Sequence, residues 1–134
     1  MSGAVFVDTS VLLLAAGQSP DRASCAAALK GWWAESVEVH VAAETVQEFA
    51  FHRRRMTDAR QAVTETRSLV AASIVHPLDG EVLARGLDLM EVGLRGRDAM
   101  IAASALVAGF AEIVSADSDF DVVPGLRRVD PRGE

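Results

Sequence analysis

The sequence predicts an α/β fold built on a mostly parallel sheet. Short β-rich segments alternate with helical ones from end to end, which is the pattern of strand–helix–strand units. The 134 residues are half hydrophobic, enough to bury one core without covalent staples. There is no internal repeat, low-complexity tract or linker, so the expected unit is a single domain over 1–134.

The elements follow in order. Residues 4–7 (Ala-Val-Phe-Val) form the first strand, which runs through Asp8-Thr9-Ser10 into a helical stretch at 11–16. Residues 17–21 make a loop, with Pro20 near the start of a second helix that extends to about Glu35. Residues 37–41 alternate and read as strand two. A helix over 43–55 and another over 58–72 follow, the latter with Thr57 as the expected N-cap. Ile74-Val75 is a short strand stopped by Pro77. Helices at 80–93 and 98–108 precede strand four at 112–115. After an acidic turn and Pro124-Gly125, residues 127–129 add a last strand.

Composition narrows the function. Cys25 is the only cysteine, so no internal disulfide can form, and its Ala-rich surroundings suit a small buried hydrophobe. No basic leader precedes the apolar run 11–16, which is too short to span a bilayer, so a soluble, cytoplasmic protein is expected. The net charge of −6 sits poorly with nucleic-acid binding unless cations offset it. His40, His52 and His76 lie on different elements and show no zinc spacing.

Four acids stand out by position. Asp8 ends strand one, Asp117 lies just past strand four, Asp98 opens a helix, and Glu48 sits between one and two turns into the helix after strand two. In a parallel α/β sheet all four fall toward the carboxyl edge, where ligands bind at the point of strand-order reversal. Each acid also has an ordinary structural use: Asp8 and Asp98 as helix caps, Asp117 in a turn, Glu48 on a solvated helix face. Crowded carboxylates repel unless cations sit among them. All-oxygen donors suit Mg²⁺ or Mn²⁺, and such ions acidify a bound water for attack on a phosphodiester.

The segments Val7-Asp8-Thr9-Ser10, Val46-Gln47-Glu48-Phe49, Arg97-Asp98-Ala99-Met100-Ile101-Ala102-Ala103 and Ser115-Ala116-Asp117-Ser118-Asp119-Phe120 resemble the four motifs of PIN domains, in order and over essentially the whole chain. The small size is similar to VapC-type toxins of toxin–antitoxin pairs. The resemblance implies a five-stranded parallel sheet of order 3-2-1-4-5 flanked by helices. It also implies a Mg²⁺- or Mn²⁺-dependent endoribonuclease that cuts RNA, commonly dimeric and held inactive by a VapB-type antitoxin. Asp8, Glu48, Asp98 and Asp117 match the family's catalytic and metal-site acids, with Asp119 as an auxiliary ligand. Thr9, Ser10 and Ser115 are placed to support them, and Ser115 stands where the family has Thr or Ser. Glu44, one turn before Glu48, does not match the motif.

Two competing functions remain open on the residues alone. The acids of a non-catalytic module would bind a basic partner. A haloacid-dehalogenase-like phosphatase would use Asp8 as nucleophile, but such enzymes carry D-x-D, and position 10 here is Ser. Arg53, Arg54 and Arg55 either complement a helix C-terminus or contact RNA or the antitoxin; being consecutive, at most two can face one ligand. Of Trp32 and Trp33, about 100° apart on a helix, one is expected in the core and the other at a surface.

Overall fold

The computed structural model describes residues 3–133, so the expected domain span reaches three residues outside the described ones. Five short strands, β1 (Ala4–Phe6), β2 (Glu38–Ala42), β3 (Ile74–His76), β4 (Glu112–Val114) and β5 (Arg127–Val129), pair in parallel. The single expected sheet is divided: β1-β2-β3 form one sheet and β4-β5 another. A parallel bridge between Val7 and Val114 joins them, and the Asp8 N–H donates to the Val114 carbonyl at 2.9 Å. The spatial order is therefore 3-2-1-4-5, but β1 and β4 meet only at their carboxyl ends. Strand order reverses between those two strands, which is where ligands bind in open α/β sheets.

The helices are α1 (Thr9–Ala16), α2 (Arg22–Ala34), α3 (Ala43–Met56), α4 (Ala59–Ala71), α5 (Gly80–Glu91) and α6 (Gly96–Val107), with a 3₁₀ turn over Ser118–Val122. Aspartate side chains cap three of them. Asp8 caps α1 through the Ser10 N–H, Asp58 caps α4 through the Gln61 N–H (2.8 Å), and Asp79 caps α5 through the Val82 N–H (3.0 Å). The cap of α4 is thus Asp58, not Thr57. Thr57 instead closes α3, its N–H and hydroxyl both donating to the Arg53 carbonyl. Asp98 does not open its helix either: α6 begins two residues earlier, placing Asp98 in the first turn, where its charge complements the helix dipole.

Alternation along β2 feeds two cores. Val39 and Val41 face α1–α4, joining Val7, Val11, Cys25, Leu29, Phe49 and Leu69. Phe6 and Ala42 face α5 and α6 with Ile101, Ile113 and Phe120. Ala99, Ala102, Ala103 and Ala105 of α6 are fully buried, so that helix lies close against its neighbours. Gly86 of α5 belongs to this close approach, because a Cβ there would stand 2.4 Å from the Met100 sulfur. Trp32 packs against the first core while Trp33 is exposed, the division expected of adjacent helical positions. Among the described residues no helix is long and apolar enough to cross a membrane.

Candidate metal centre

The centre is assembled where β1 and β4 deliver the chain to the sheet edge. Asp8, directly after the Val7 bridge, is buried. Its Oδ2 accepts hydrogen bonds from the Ser10 hydroxyl and the Ser115 hydroxyl, each at 2.8 Å, and from the Ser10 N–H. Burial pushes the Asp8 carboxyl above its ordinary value, and these hydrogen bonds work in the opposite direction. Ser115 serves both strands: its hydroxyl donates to Asp8 and accepts from the Asp117 N–H at 2.9 Å. Ser10 likewise accepts from the Ala116 N–H at 3.0 Å. Thr9, expected beside Asp8, turns instead to Thr45, donating to its hydroxyl at 3.2 Å and fastening α1 to α3.

Asp117 follows β4 and caps the 3₁₀ turn through the Asp119 N–H. That turn brings Asp119 back beside it. Asp98 enters from α6, and carboxylate oxygens of Asp98, Asp117 and Asp119 all lie within 4.8 Å of one another. The Asp98 carboxyl is raised from 3.8 to about 6, first by burial and then by the negative charges of Asp8, Asp117, Asp119 and Glu48. Asp98 therefore feels every acid expected at the centre, although Asp8 and Glu48 stand outside the close trio.

Glu48 is held by Arg97. Its Oε2 accepts from the Arg97 guanidinium at 2.9 Å, and the His52 ring lies 4.0 Å away. The donor set fits a hard divalent ion: oxygen only, convergent, and carrying like charges that a cation would relieve. Asp98, Asp117 and Asp119 could hold such an ion, with Asp8 and Glu48 on its flanks. At position 10 a hydroxyl donates to Asp8, where a D-x-D phosphatase would offer a second carboxylate.

Other expected residues fall elsewhere. Arg53 is engaged within the fold, its guanidinium donating to Glu65 of α4 at 2.7 Å, which lowers the Glu65 carboxyl pKa and raises that of the arginine. It is removed from the set available to RNA or a partner. Arg54 and Arg55 are exposed, Arg55 lying 5.8 Å from the Phe51 ring centre. Both Glu44 side-chain oxygens are buried without a hydrogen-bond partner among the described residues. Nothing in the local sequence singles out Arg97, which sits beside Asp98 in the chain yet reaches from α6 to Glu48 on α3. Nor did it suggest that His40 and His76 meet: adjacent strands bring their rings within a 2.8 Å Nδ1–Nε2 hydrogen bond.

Comparison with known proteins agrees with this fold. The family model described as the PIN domain matches residues 5–126. Ribonuclease VapC7 of Mycobacterium tuberculosis is 33% identical over 121 residues, spanning 87% of this chain and 83% of that protein. Among solved structures, the DNA-bound VapBC of Salmonella typhimurium superposes with a TM-score of 0.75 at 16% identity, covering 96% of this chain and 98% of that one. A toxin–antitoxin complex from Klebsiella pneumoniae gives 0.73 at 21% identity, covering 97% and 99%. Mycobacterium tuberculosis VapC20, a sarcin–ricin-loop-cleaving toxin, gives 0.71 at 18% identity, covering 87% and 92%. At these identities the solved structures speak for the fold, while the sequence match over 5–126 carries the family. The chain belongs to the PIN-domain family.

Proposed function

We propose that this protein is an endoribonuclease that hydrolyses RNA phosphodiester bonds with Mg²⁺ or Mn²⁺, and that it acts as the toxin of a toxin–antitoxin pair. The observation that carries the chemistry is the convergence of Asp98, Asp117 and Asp119 at the reversal between β1 and β4, with Asp8 buried against Ser115 at the same edge. A divalent ion bound there supplies Lewis acidity toward the phosphate and lowers the pKa of water. Asp98, Asp117 and Asp119 bind and orient the ion, while Asp8 and Glu48 set the negative field around it. Ser10 and Ser115 fix the Asp8 carboxylate by donating to its Oδ2, so the acid presents one orientation. Hydrolysis breaks one P–O bond, and water contributes hydroxyl to the phosphate and a proton to the leaving oxygen.

The toxin role rests on the 33% identity to Ribonuclease VapC7. A VapB-type antitoxin, a cytoplasmic location and a homodimer belong to the same reading. Partner binding is supported by an apolar hollow of about 500 Å³ bordered by Leu12, Ala16, Leu29, Trp33 and Leu69. Self-association is supported by the exposed stripe Leu83, Leu87 and Met90 on α5.

The test is Asp8→Asn, which preserves shape and removes the charge. The wild type should cleave RNA in Mn²⁺ and stop in EDTA, while the variant keeps its circular dichroism spectrum and loses cleavage. Equal cleavage by both proteins, or undiminished cleavage in EDTA, would refute the proposal.

A further inference from the structure

Residues 127–132 lie beyond the segment that matches the family, yet Arg128 and Arg132 reach back to the backbone just ahead of Asp117. Asp130 follows β5 and its side chain is 1% exposed. It gathers two arginines. Arg128 Nη1 donates to Asp130 Oδ2 at 3.1 Å, and Arg132 donates to the same oxygen through Nη2 at 2.7 Å. The Arg132 Nε and backbone N–H both donate to Asp130 Oδ1, at 3.0 and 2.9 Å.

Both guanidinium groups then continue to the same short piece of backbone. Arg128 Nη1 donates to the Ser115 carbonyl at 3.2 Å, and Arg132 Nη2 donates to the Ala116 carbonyl at 3.0 Å. Arg128 also grips Asp121 at the far end of the 3₁₀ turn (2.8 Å), and Arg132 reaches Asp21 at the start of α2 (3.4 Å). Residues 115–117 are thus fixed from two sides. In front, the hydroxyls of Ser10 and Ser115 accept from the N–H groups of Ala116 and Asp117. Behind, the arginines hold the carbonyls. No other described carboxylate takes two arginine side chains, and a buried carboxylate is tolerated when charge-assisted bonds of this kind satisfy it.

We propose that Asp130, acting through Arg128 and Arg132, is a positioning residue that sets the backbone ahead of Asp117 and so fixes where the Asp117 and Asp119 carboxylates stand. None of the three touches the acidic trio; they act on it through the 115–117 backbone and Asp121. The inference rests on the metal-centre reading for its consequence, though the clasp itself is a feature of the chain alone. Residues that orient metal ligands without touching the ion typically change metal affinity or activity by about 10–100-fold when removed.

Three variants test it: Asp130→Asn, Arg132→Ala, and Arg127→Ala as a control. Arg127 leaves the same strand but pairs with exposed Glu112, away from the loop. Mn²⁺ affinity is read by calorimetry, RNA cleavage as kcat and KM, and amide exchange of the EDTA-treated protein by NMR. Arg132→Ala should weaken Mn²⁺ binding about tenfold and lower kcat with KM little changed. It should also speed exchange at Ala116, Asp117 and Asp119 but not at Ile113. Asp130→Asn should do the same or more, and Arg127→Ala should match the wild type. Because Asp130 is buried, its variant could fail to fold, and Arg132→Ala then decides. Wild-type Mn²⁺ affinity in Arg132→Ala overturns the proposal. If the wild type itself binds no Mn²⁺, the metal-centre reading fails instead, and unchanged amide exchange in Arg132→Ala would overturn the clasp separately.

Discussion

Removing the charge of Asp98 should stabilise the metal-free protein, although Asp98 lies at the heart of the centre. Its carboxyl rises from 3.8 to about 6, because burial and four neighbouring acids oppose ionisation. Folding therefore works against the ionised form. The penalty begins above pH 3.8, where the unfolded chain ionises, and is complete once the folded site ionises, above about 6. Taken in full, such a difference is worth about 3 kcal/mol. Asp98 is only half-buried, so solvent screening reduces this to about 1–2 kcal/mol. For a chain of this size that corresponds to roughly 4–8 °C in Tm. The assay is thermal unfolding of the wild type and Asp98→Asn in EDTA from pH 4 to 8. The variant should melt close to the wild type near pH 4, pull ahead up to about pH 6, and hold a constant lead above it. Saturating Mn²⁺ should then reverse the order, since an ion bound to the native state at 100 times its Kd adds about 2.7 kcal/mol to the wild type. A variant that melts at or below the wild type at pH 7 in EDTA, or a lead that does not change with pH, would refute the electrostatic reasoning.

Arg97 beside Glu48, and the His40–His76 pair between β2 and β3, each carry a further prediction. Arg97→Ala releases Glu48 from its 2.9 Å ion pair, and because exposed pairs are worth about 0.2–1 kcal/mol, Mn²⁺ affinity should rise roughly 1.5–5-fold by calorimetry; a weaker affinity would show that Arg97 supports the centre. His76 has its pKa lowered, first by burial and then by the charge of His40, so its neutral form favours the fold and stability should fall as pH drops below 6.5. His76→Asn should flatten that part of the Tm profile, and an unchanged slope would remove the His40–His76 pair as its source.

The parts of this protein legible in its sequence are those written in local pattern. Strand–helix alternation gave the α/β class, and the acids at strand ends pointed to one edge because a parallel sheet delivers its chain there. Position within a helix was harder. Asp98 looked like a cap because it precedes Ala-Met-Ile, but Gly96 and Arg97 are already helical, and a carboxylate in the first turn satisfies the dipole as well as one at the cap. Thr57 and Asp58 are both capping residues, and only the geometry shows that one closes a helix while the other opens the next. The split of the sheet was not legible, since it depends on β1 and β4 diverging away from the Val7–Val114 bridge. Long-range polar partners were hidden for the same reason. Arg53 met Glu65, Arg97 met Glu48, and the Asp130 clasp closed on residues 115 and 116, all through packing that no local pattern encodes.

Side chains from α6 and from the turn after β4 are placed to hold a divalent ion between them. Diffraction from crystals soaked in Mn²⁺, collected for the anomalous signal of manganese, tests it directly. An anomalous peak should lie among the carboxylates of Asp98, Asp117 and Asp119, at about 2.0–2.3 Å from their oxygens as hard-cation coordination requires, and should vanish in Asp98→Asn. Crystals that stay without a peak there at millimolar Mn²⁺, while the wild-type protein still cleaves RNA, would show that these three carboxylates do not hold the ion.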